Sequence, residues 1–293
     1  MTAVDLTLTG ETSVCVAGDW HTNANWVERA IPLIGRAGIR TVLHVGDFGI
    51  WSDMRGRKFL EAIDSWCERA GIERVLVTPG NHEGWDWLDA DFEVMPGEPV
   101  PLSATVQVLP RAFRFTLADR SLLSFGGAAS IDFELRTIDQ DWFASEIPTE
   151  DDVDRAIAGG PVEILLTHET VNGGKTASER QIVQNPMRWS PEALAYSASS
   201  RERTTRVWEA LAPELLLHGH MHLADEIALD DGRRVISMGR DGQHRNLGVL
   251  NLEDLGWSWL AGPTLVERPS RTRHIESQYL TRPDTEPDDD DWQ

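Results

Sequence analysis

The chain is expected to fold as an α/β protein in which two mixed β-sheets pack face to face and helices cover both outer faces. Two patterns predict this. Short apolar, often β-branched runs alternate with stretches whose apolar residues fall three and four apart, as strands and crossover helices do. Five of those runs end at clusters of Asp, Asn and His, and ligands at strand C-termini are the rule for open α/β sheets.

In chain order, residues 13–17 form a strand that runs into Asp19, Trp20 and His21, and a helix over 25–36 follows, closed by Gly38. A second strand over 41–45 ends at Gly46 and Asp47. A helix over 55–70, closed by Gly71, leads to a strand over 74–78 and then to Gly80, Asn81, His82 and Glu83. Runs at 106–109, 112–117 and 121–125 read as an antiparallel set. Small residues at 126–130 permit close backbone approach. Arg136 beyond them either faces a bound phosphate or pairs with a surface acid. A strand over 163–167 ends at His168, and one over 215–218 ends at His220 and His222. Between them, residues 170–205 read as a long irregular connection, a candidate lid or specificity loop, with a helix beginning near Ser200. Lys175, Arg201, Arg203 and Arg206 there either bind substrate phosphate or lie exposed on that helix. Runs at 225–229, 233–238, 247–252 and 256–260 repeat the antiparallel pattern.

Because the clusters are dispersed and must converge, residues 1–265 read as one domain. Residues 266–293 lose apolar periodicity, end in a run of aspartates, and are expected to form an acidic, disordered tail. Cys15 and Cys67 stand in no metal or redox spacing and are expected to be reduced core residues. No apolar stretch approaches the roughly 18 residues of a membrane span, so no membrane partner is expected and a cytoplasmic location is. A formal charge of -21, from 27 Lys and Arg against 48 Asp and Glu, repels a polyanion and disfavours duplex nucleic acid. Divalent ions in a cleft reverse that field locally, which suits small phosphate esters, nucleotides among them. Trp20, Trp51, Trp85 and Trp87 adjoin three of the clusters and serve either core packing or stacking on a planar substrate group. Oligomeric state is not legible.

Asp19, His21, Asp47, Asn81, His82, His168, His220 and His222 offer carboxylate, amide and imidazole donors without a thiolate. That mixture suits a borderline divalent metal such as Mn, Fe, Zn or Ni, whereas calcium would not need so many histidines. The set exceeds what one tetrahedral zinc takes, and two ions roughly 3.5–4 Å apart can share a bridging carboxylate. His44 and His218 lie inside apolar runs and are expected to be packed or hydrogen-bonded there; His244 is open, and His274 is expected to be a solvated tail residue.

The order DxH, GD, GNHE, H and GHxH resembles the calcineurin-like metallophosphoesterase superfamily from near the N-terminus to about residue 222, with flanking strands to about residue 262. The resemblance implies a four-layer α/β/β/α sandwich and a binuclear hydrolase of phosphate esters. It implies that Asp19, His21, Asp47 and His222 hold one ion, that Asp47, Asn81, His168 and His220 hold the other, and that Asp47 bridges them. A metal-bound hydroxide then attacks phosphorus, and His82, not itself a ligand, acts on the leaving oxygen as general acid or hydrogen-bond donor. Many members carry GDxxD, whose second acid supports that histidine. Here Ile50 fills the place, which leaves Asp53, Asp86 or some other group to orient His82. The expected activity is a phosphodiesterase or phosphatase on small or nucleotide-like substrates. A nuclease on single strands and a non-catalytic, metal-dependent protein-binding scaffold are the alternatives.

Overall fold

The computed structural model describes residues 3–261. From the N-terminal side, β1 (Val4–Asp5) and β2 (Ser13–Ala17) lead to α1 (Ala24–Arg36), where Asn23 caps the first turn by accepting from Trp26 N at 3.1 Å. β3 (Thr41–His44) feeds α2 (Met54–Ala70), which Asp53 caps by accepting from Gly56 N at 2.8 Å and Gly71 closes at a φ of 72°. β4 (Arg74–Val77), α3 (Trp85–Val94), β5 (Val100–Pro101) and β6 (Val106–Val108) follow. Next come β7 (Phe113–Leu117), β8 (Arg120–Phe125), two 3-10 turns at Phe133–Leu135 and Ala144–Glu146, and α4 (Glu150–Ala158). β9 (Ile164–Thr167), α5 (Ala177–Gln184), α6 (Pro191–Leu211), β10 (Leu215–His218), β11 (Asp225–Ala228) and β12 (Arg234–Ser237) precede the last strands, β13 (Leu247–Asn251) and β14 (Trp257–Trp259).

These strands form two seven-stranded sheets, ordered β14-β13-β2-β3-β4-β6-β5 and β1-β7-β8-β9-β10-β12-β11. The centre of each is parallel: β2, β3, β4 and β6 in the first, β8, β9, β10 and β12 in the second. Alternation along each strand sets the layers. Val14, Val16, Leu43 and Leu76 meet Phe115, Leu122, Leu166 and Leu217 in the core between the sheets. Cys15, Ala17, Val42 and Val75 face the other way and pack with Ile31 and Ile63 of α1 and α2. Leu123, Leu165 and Leu216 pack with Val153 of α4 and Trp208 of α6. The expected four-layer sandwich results, with Cys15 and Cys67 both buried and unpaired. Among the described residues no helix is long and apolar enough to cross a membrane.

Two segments differ from expectation. β6 does not join β7 and β8: the crossover through α3 returns the chain so that it pairs parallel with β4 and antiparallel with β5, and of the three expected strands only β7 and β8 pair antiparallel, in the other sheet. The 170–205 stretch is not irregular, because Thr176 caps α5 and Ser190, followed by Pro191 in the first turn, starts α6 well before Ser200. The buried face of α6 carries Ser197, Ser200, Thr204 and Thr205, so apolar periodicity is muted in its sequence. The tail over 266–293 and His274 lie outside the described residues.

Asn246 ties β13 to the start of the chain. Its Oδ1 accepts from Trp20 Nε1 at 3.1 Å and Trp26 Nε1 at 2.7 Å, while Nδ2 donates to the carbonyls of Gly18 and Gly239. Asn246→Ala strips a partner from four buried polar groups and is expected to lower unfolding free energy by about 3–5 kcal/mol. Urea denaturation checks this, and a loss below about 1 kcal/mol would show the network to be dispensable.

Candidate metal centre

The ends of β2, β3, β4, β9 and β10 bring the clusters together through unusually tight turns. Asp19, His21, Asp47, His220 and His222 adopt φ values of 55°, 46°, 52°, 77° and 58°. Side-chain-bearing residues hold this left-handed geometry only where their surroundings enforce it, and such strain concentrates at functional sites. Here the turns enforce one another. Asp19 N donates to Gly46 O at 2.9 Å, His21 N to Asp47 O at 2.8 Å, His220 N to Asp19 Oδ1 at 3.1 Å and His82 N to Asp47 Oδ1 at 2.9 Å. Glycine makes the approach possible: a Cβ on Gly46 would lie 2.2 Å from His168 Nδ1, and one on Gly80 would lie 2.3 Å from Asp47 Oδ1.

Asp19, His21, Asp47 and His222 each place one donor atom within 4.8 Å of the others. His21 Nε2 is 3.3 Å from Asp47 Oδ2, and His222 Nε2 is 3.5 Å from Asp19 Oδ1. On the other carboxylate oxygen, His168 Nε2 lies 3.1 Å from Asp47 Oδ1 and 3.2 Å from Asn81 Oδ1, with the His220 ring 5.1 Å from that of His168. Asp19 Oδ2, Asp47 Oδ2, His220 Nε2 and His222 Nε2 are buried without a hydrogen-bond partner. Orphaned buried polar atoms are costly and rare. Several in one cluster of oxygen and imidazole donors fit divalent cations.

Burial works against charge throughout, and neighbours decide the outcome. Around His21, Asp241 and Asp47 overcome burial and hold the pKa at about 10; around His168, Asp47 and Asp19 hold it at about 9. Burial lifts Asp19 to about 7. The same penalty falls on Asp47, yet His168 and His82 keep its carboxyl well below the usual range. Burial pushes His220 and His222 down and leaves them neutral. Asp47 is the anion around which the cluster is organised.

Groups behind the donors fix their orientation. His168 Nδ1 bonds Val45 O at 2.7 Å, which turns Nε2 toward the cluster, and Asp241 Oδ1 sits 3.2 Å from His21 Nδ1 with the same effect. Asp241 is itself held by Asn23 Nδ2 and by its own N–H on Asp19 O at 2.9 Å. Asp241→Ala is expected to weaken metal binding at the His21 side by about 10–100-fold, read by competition against a chelating dye. Unchanged affinity would remove Asp241 from this role. Glu83 clamps the turn after Asp47 by accepting from the N–H groups of Phe48, Gly49, Ile50 and Gly80 at 2.7–3.3 Å, and burial followed by the Asp47 charge raises its pKa to about 7. The sequence offers no signal for Asp241, which lies in a glycine-flanked turn after β12.

The model of the calcineurin-like phosphoesterase family matches residues 12–224, the span carrying every one of the clusters. The chain belongs to that family. As a calcineurin-like phosphoesterase it is a hydrolase of phosphate esters. No curated protein matches the sequence. Among solved structures, a dimetal phosphatase from Danio rerio is 10% identical with a TM-score of 0.53, covering 86% of this chain and 100% of that one. A protein of Thermus thermophilus is 12% identical with a TM-score of 0.52, covering 84% and 97%. These likenesses concern the fold.

In this calcineurin-like phosphoesterase Ile50 is core, and neither Asp53 nor Asp86 bonds His82 among the described residues; Asp53 is occupied capping α2. Arg136 lies on His82 instead. Its Nη2 is 2.7 Å from His82 Nε2 and its Nη1 3.2 Å from Nδ1, while Asp132 accepts from Nε at 2.7 Å and Nη2 at 3.0 Å. A guanidinium only donates, so these contacts favour a neutral ring with a free nitrogen lone pair. Burial lowers the His82 pKa, with Asp47 opposing and Arg136 adding to the shift. Of the two roles open to Arg136 in the sequence, the pairing with an acid is present, and the guanidinium lies against His82. His82 Nε2 is 3.9 Å from Asp47 Oδ2, and its ring is 5.5 Å from that of His21.

The other candidates lie elsewhere. Lys175 pairs with Asp230 at 3.1 Å, Arg203 and Arg206 pair with Glu150, and Arg201 is buried against Ser197 and Asn172. Trp20 and Trp85 are fully buried with Nε1 bonded to Asn246 and Gly80 O, and Trp51 and Trp87 pack against the same core, so packing is the role all four show. His44 packs edge-on against Trp20 and Phe48, His218 bonds Gly219 O at 3.0 Å, and His244 is exposed.

Proposed function

We propose that the protein hydrolyses phosphate esters of small or nucleotide-like molecules at a binuclear centre. Asp19, His21, Asp47 and His222 hold one ion, Asp47, Asn81, His168 and His220 hold the other, and Asp47 bridges them. The observation that carries this is the two-sided Asp47 carboxylate, with His168 Nε2 at 3.1 Å from one oxygen and His21 Nε2 at 3.3 Å from the other. When bound, two divalent ions supply Lewis acidity that neutralises phosphoryl charge and activates water.

The chain's own residues do the rest. His82 reaches the leaving oxygen beside the bridge. Because its ring is neutral against Arg136, it serves as a hydrogen-bond donor to the developing oxyanion rather than as a full imidazolium acid. Arg136, anchored by Asp132, sets a fixed positive charge next to His82 where a phosphoryl oxygen gains most from it. The surface charge of -21 favours small esters over long polyanions. Residues 1–265 act as the catalytic unit, and unpaired Cys15 and Cys67 suit a reducing cytoplasm.

The test is to strip the protein with chelator, reload it with Mn, and compare bis-p-nitrophenyl phosphate, p-nitrophenyl phosphate, nucleotides and a single-stranded oligonucleotide. Mn-dependent turnover that favours the nucleotides over the oligonucleotide is expected. Faster cleavage of the oligonucleotide would make the enzyme a nuclease, and metal binding without any turnover would leave only a scaffold role.

A further inference from the structure

Asn81 meets the centre with an amide whose two ends are chemically opposite: the oxygen can ligate a cation and the NH2 cannot. Which end faces inward depends on what grips the other. Asn81 Nδ2 donates to Ser130 Oγ at 3.1 Å. Ser130 is fully buried and has a single hydroxyl proton, and Glu146 Oε2 lies 2.7 Å beyond its Oγ, while Ser130 N donates to Glu146 Oε1 at 2.6 Å. Burial raises the Glu146 pKa to about 7; above that pH the carboxylate only accepts, so the hydroxyl proton points to Glu146 and a hydroxyl lone pair is left for Asn81. Trp142 Nε1 at 3.1 Å and Tyr196 OH at 2.9 Å complete a carboxylate that is fully buried and faces donors alone. Neither the ligand set nor the pair of His82 and Arg136 uses Glu146.

We propose that Glu146, acting through Ser130, is a positioning residue for the second metal: it fixes the Asn81 amide with Oδ1 toward His168 and Asp47. The proposal rests on Asn81 being a ligand of that ion. The relay runs one way, from carboxylate to hydroxyl to amide. Glutamine at 146 disturbs it at nearly constant shape. With its NH2 in the Oε2 position, Ser130 Oγ accepts, turns its own proton toward Asn81, and favours the flipped amide. With its NH2 in the Oε1 position, the amide confronts the N–H of Ser130 and the Trp142 indole.

Calorimetric titration of the metal-stripped full chain with Mn at pH 8 tests this in the wild type, Asn81→Ala, Glu146→Gln, Ser130→Ala and Tyr196→Phe. The wild type is expected to bind two equivalents and Asn81→Ala to lose the second. Glu146→Gln and Ser130→Ala are expected to weaken the second ion at least about 10-fold and to leave the first within about twofold. Tyr196→Phe, which removes a donor from the same carboxylate without touching the relay, binds as wild type. Glu146→Gln binding both ions normally while Asn81→Ala loses the second overturns the proposal alone, as does equal weakening of both ions. Retention of both by Asn81→Ala overturns the ligand assignment and the proposal with it. If Glu146→Gln does not fold, Ser130→Ala decides by the same criteria.

Discussion

Asp47→Ala is expected to abolish turnover and to lower metal content from two ions per chain to at most one. Its carboxylate faces both halves of the cluster: its oxygens lie near His21 and His82 on one side and His168 on the other. It also accepts the His82 backbone N–H at 2.9 Å, so its loss loosens the turn that carries Asn81 and His82. The ionised carboxylate offsets positive charge on the histidines, and removing it costs the site its central anion. We expect kcat/KM to fall by at least about 1,000-fold, equivalent to roughly 4 kcal/mol of transition-state stabilisation. Asp19→Ala is the comparison, because it should lose the first ion and keep the second. Elemental analysis after gel filtration reads both variants, and an Asp47→Ala protein holding two ions would remove the bridge from the mechanism.

His82→Ala is expected to keep both ions yet lose about 100- to 10,000-fold in kcat on a nucleotide ester. The loss should shrink sharply with a nitrophenyl ester, since nitrophenolate departs with little help. This contrast follows from the role proposed for the ring, which lies beside Asp47 and Arg136: it acts at the departing oxygen rather than at a metal. Comparable slowing of both esters would contradict that role and point to a general disturbance of the centre.

Which residues meet was legible wherever the chemistry was local. Each candidate ligand follows an apolar run, often beside a glycine that permits the turn, so Asp19, Asp47 and His220 could be placed at strand ends from the sequence pattern alone. The supporting groups were not legible because their contacts are distant in sequence. Asp241 and His21 are 220 positions apart, and Ser130 and Asn81 are 49 apart, with no spacing rule to link them. The partner of His82 was hidden for a related reason: Ile50 fills the place of the expected acid in the turn that carries Asp47, and Arg136 arrives from the segment after β8. Layering followed from alternation in β2 and β3, whereas the direction of β6 depends on the crossover before it and not on its own residues. α6 escaped because it buries hydroxyl side chains, which an apolar periodicity does not register.

The most direct test of the binuclear reading is anomalous diffraction from crystals of the Mn-loaded protein. Two peaks roughly 3.5–4 Å apart are predicted, joined by the Asp47 carboxylate, with Asp19, His21 and His222 about one and Asn81, His168 and His220 about the other. A single peak, or two that do not share Asp47, would contradict it.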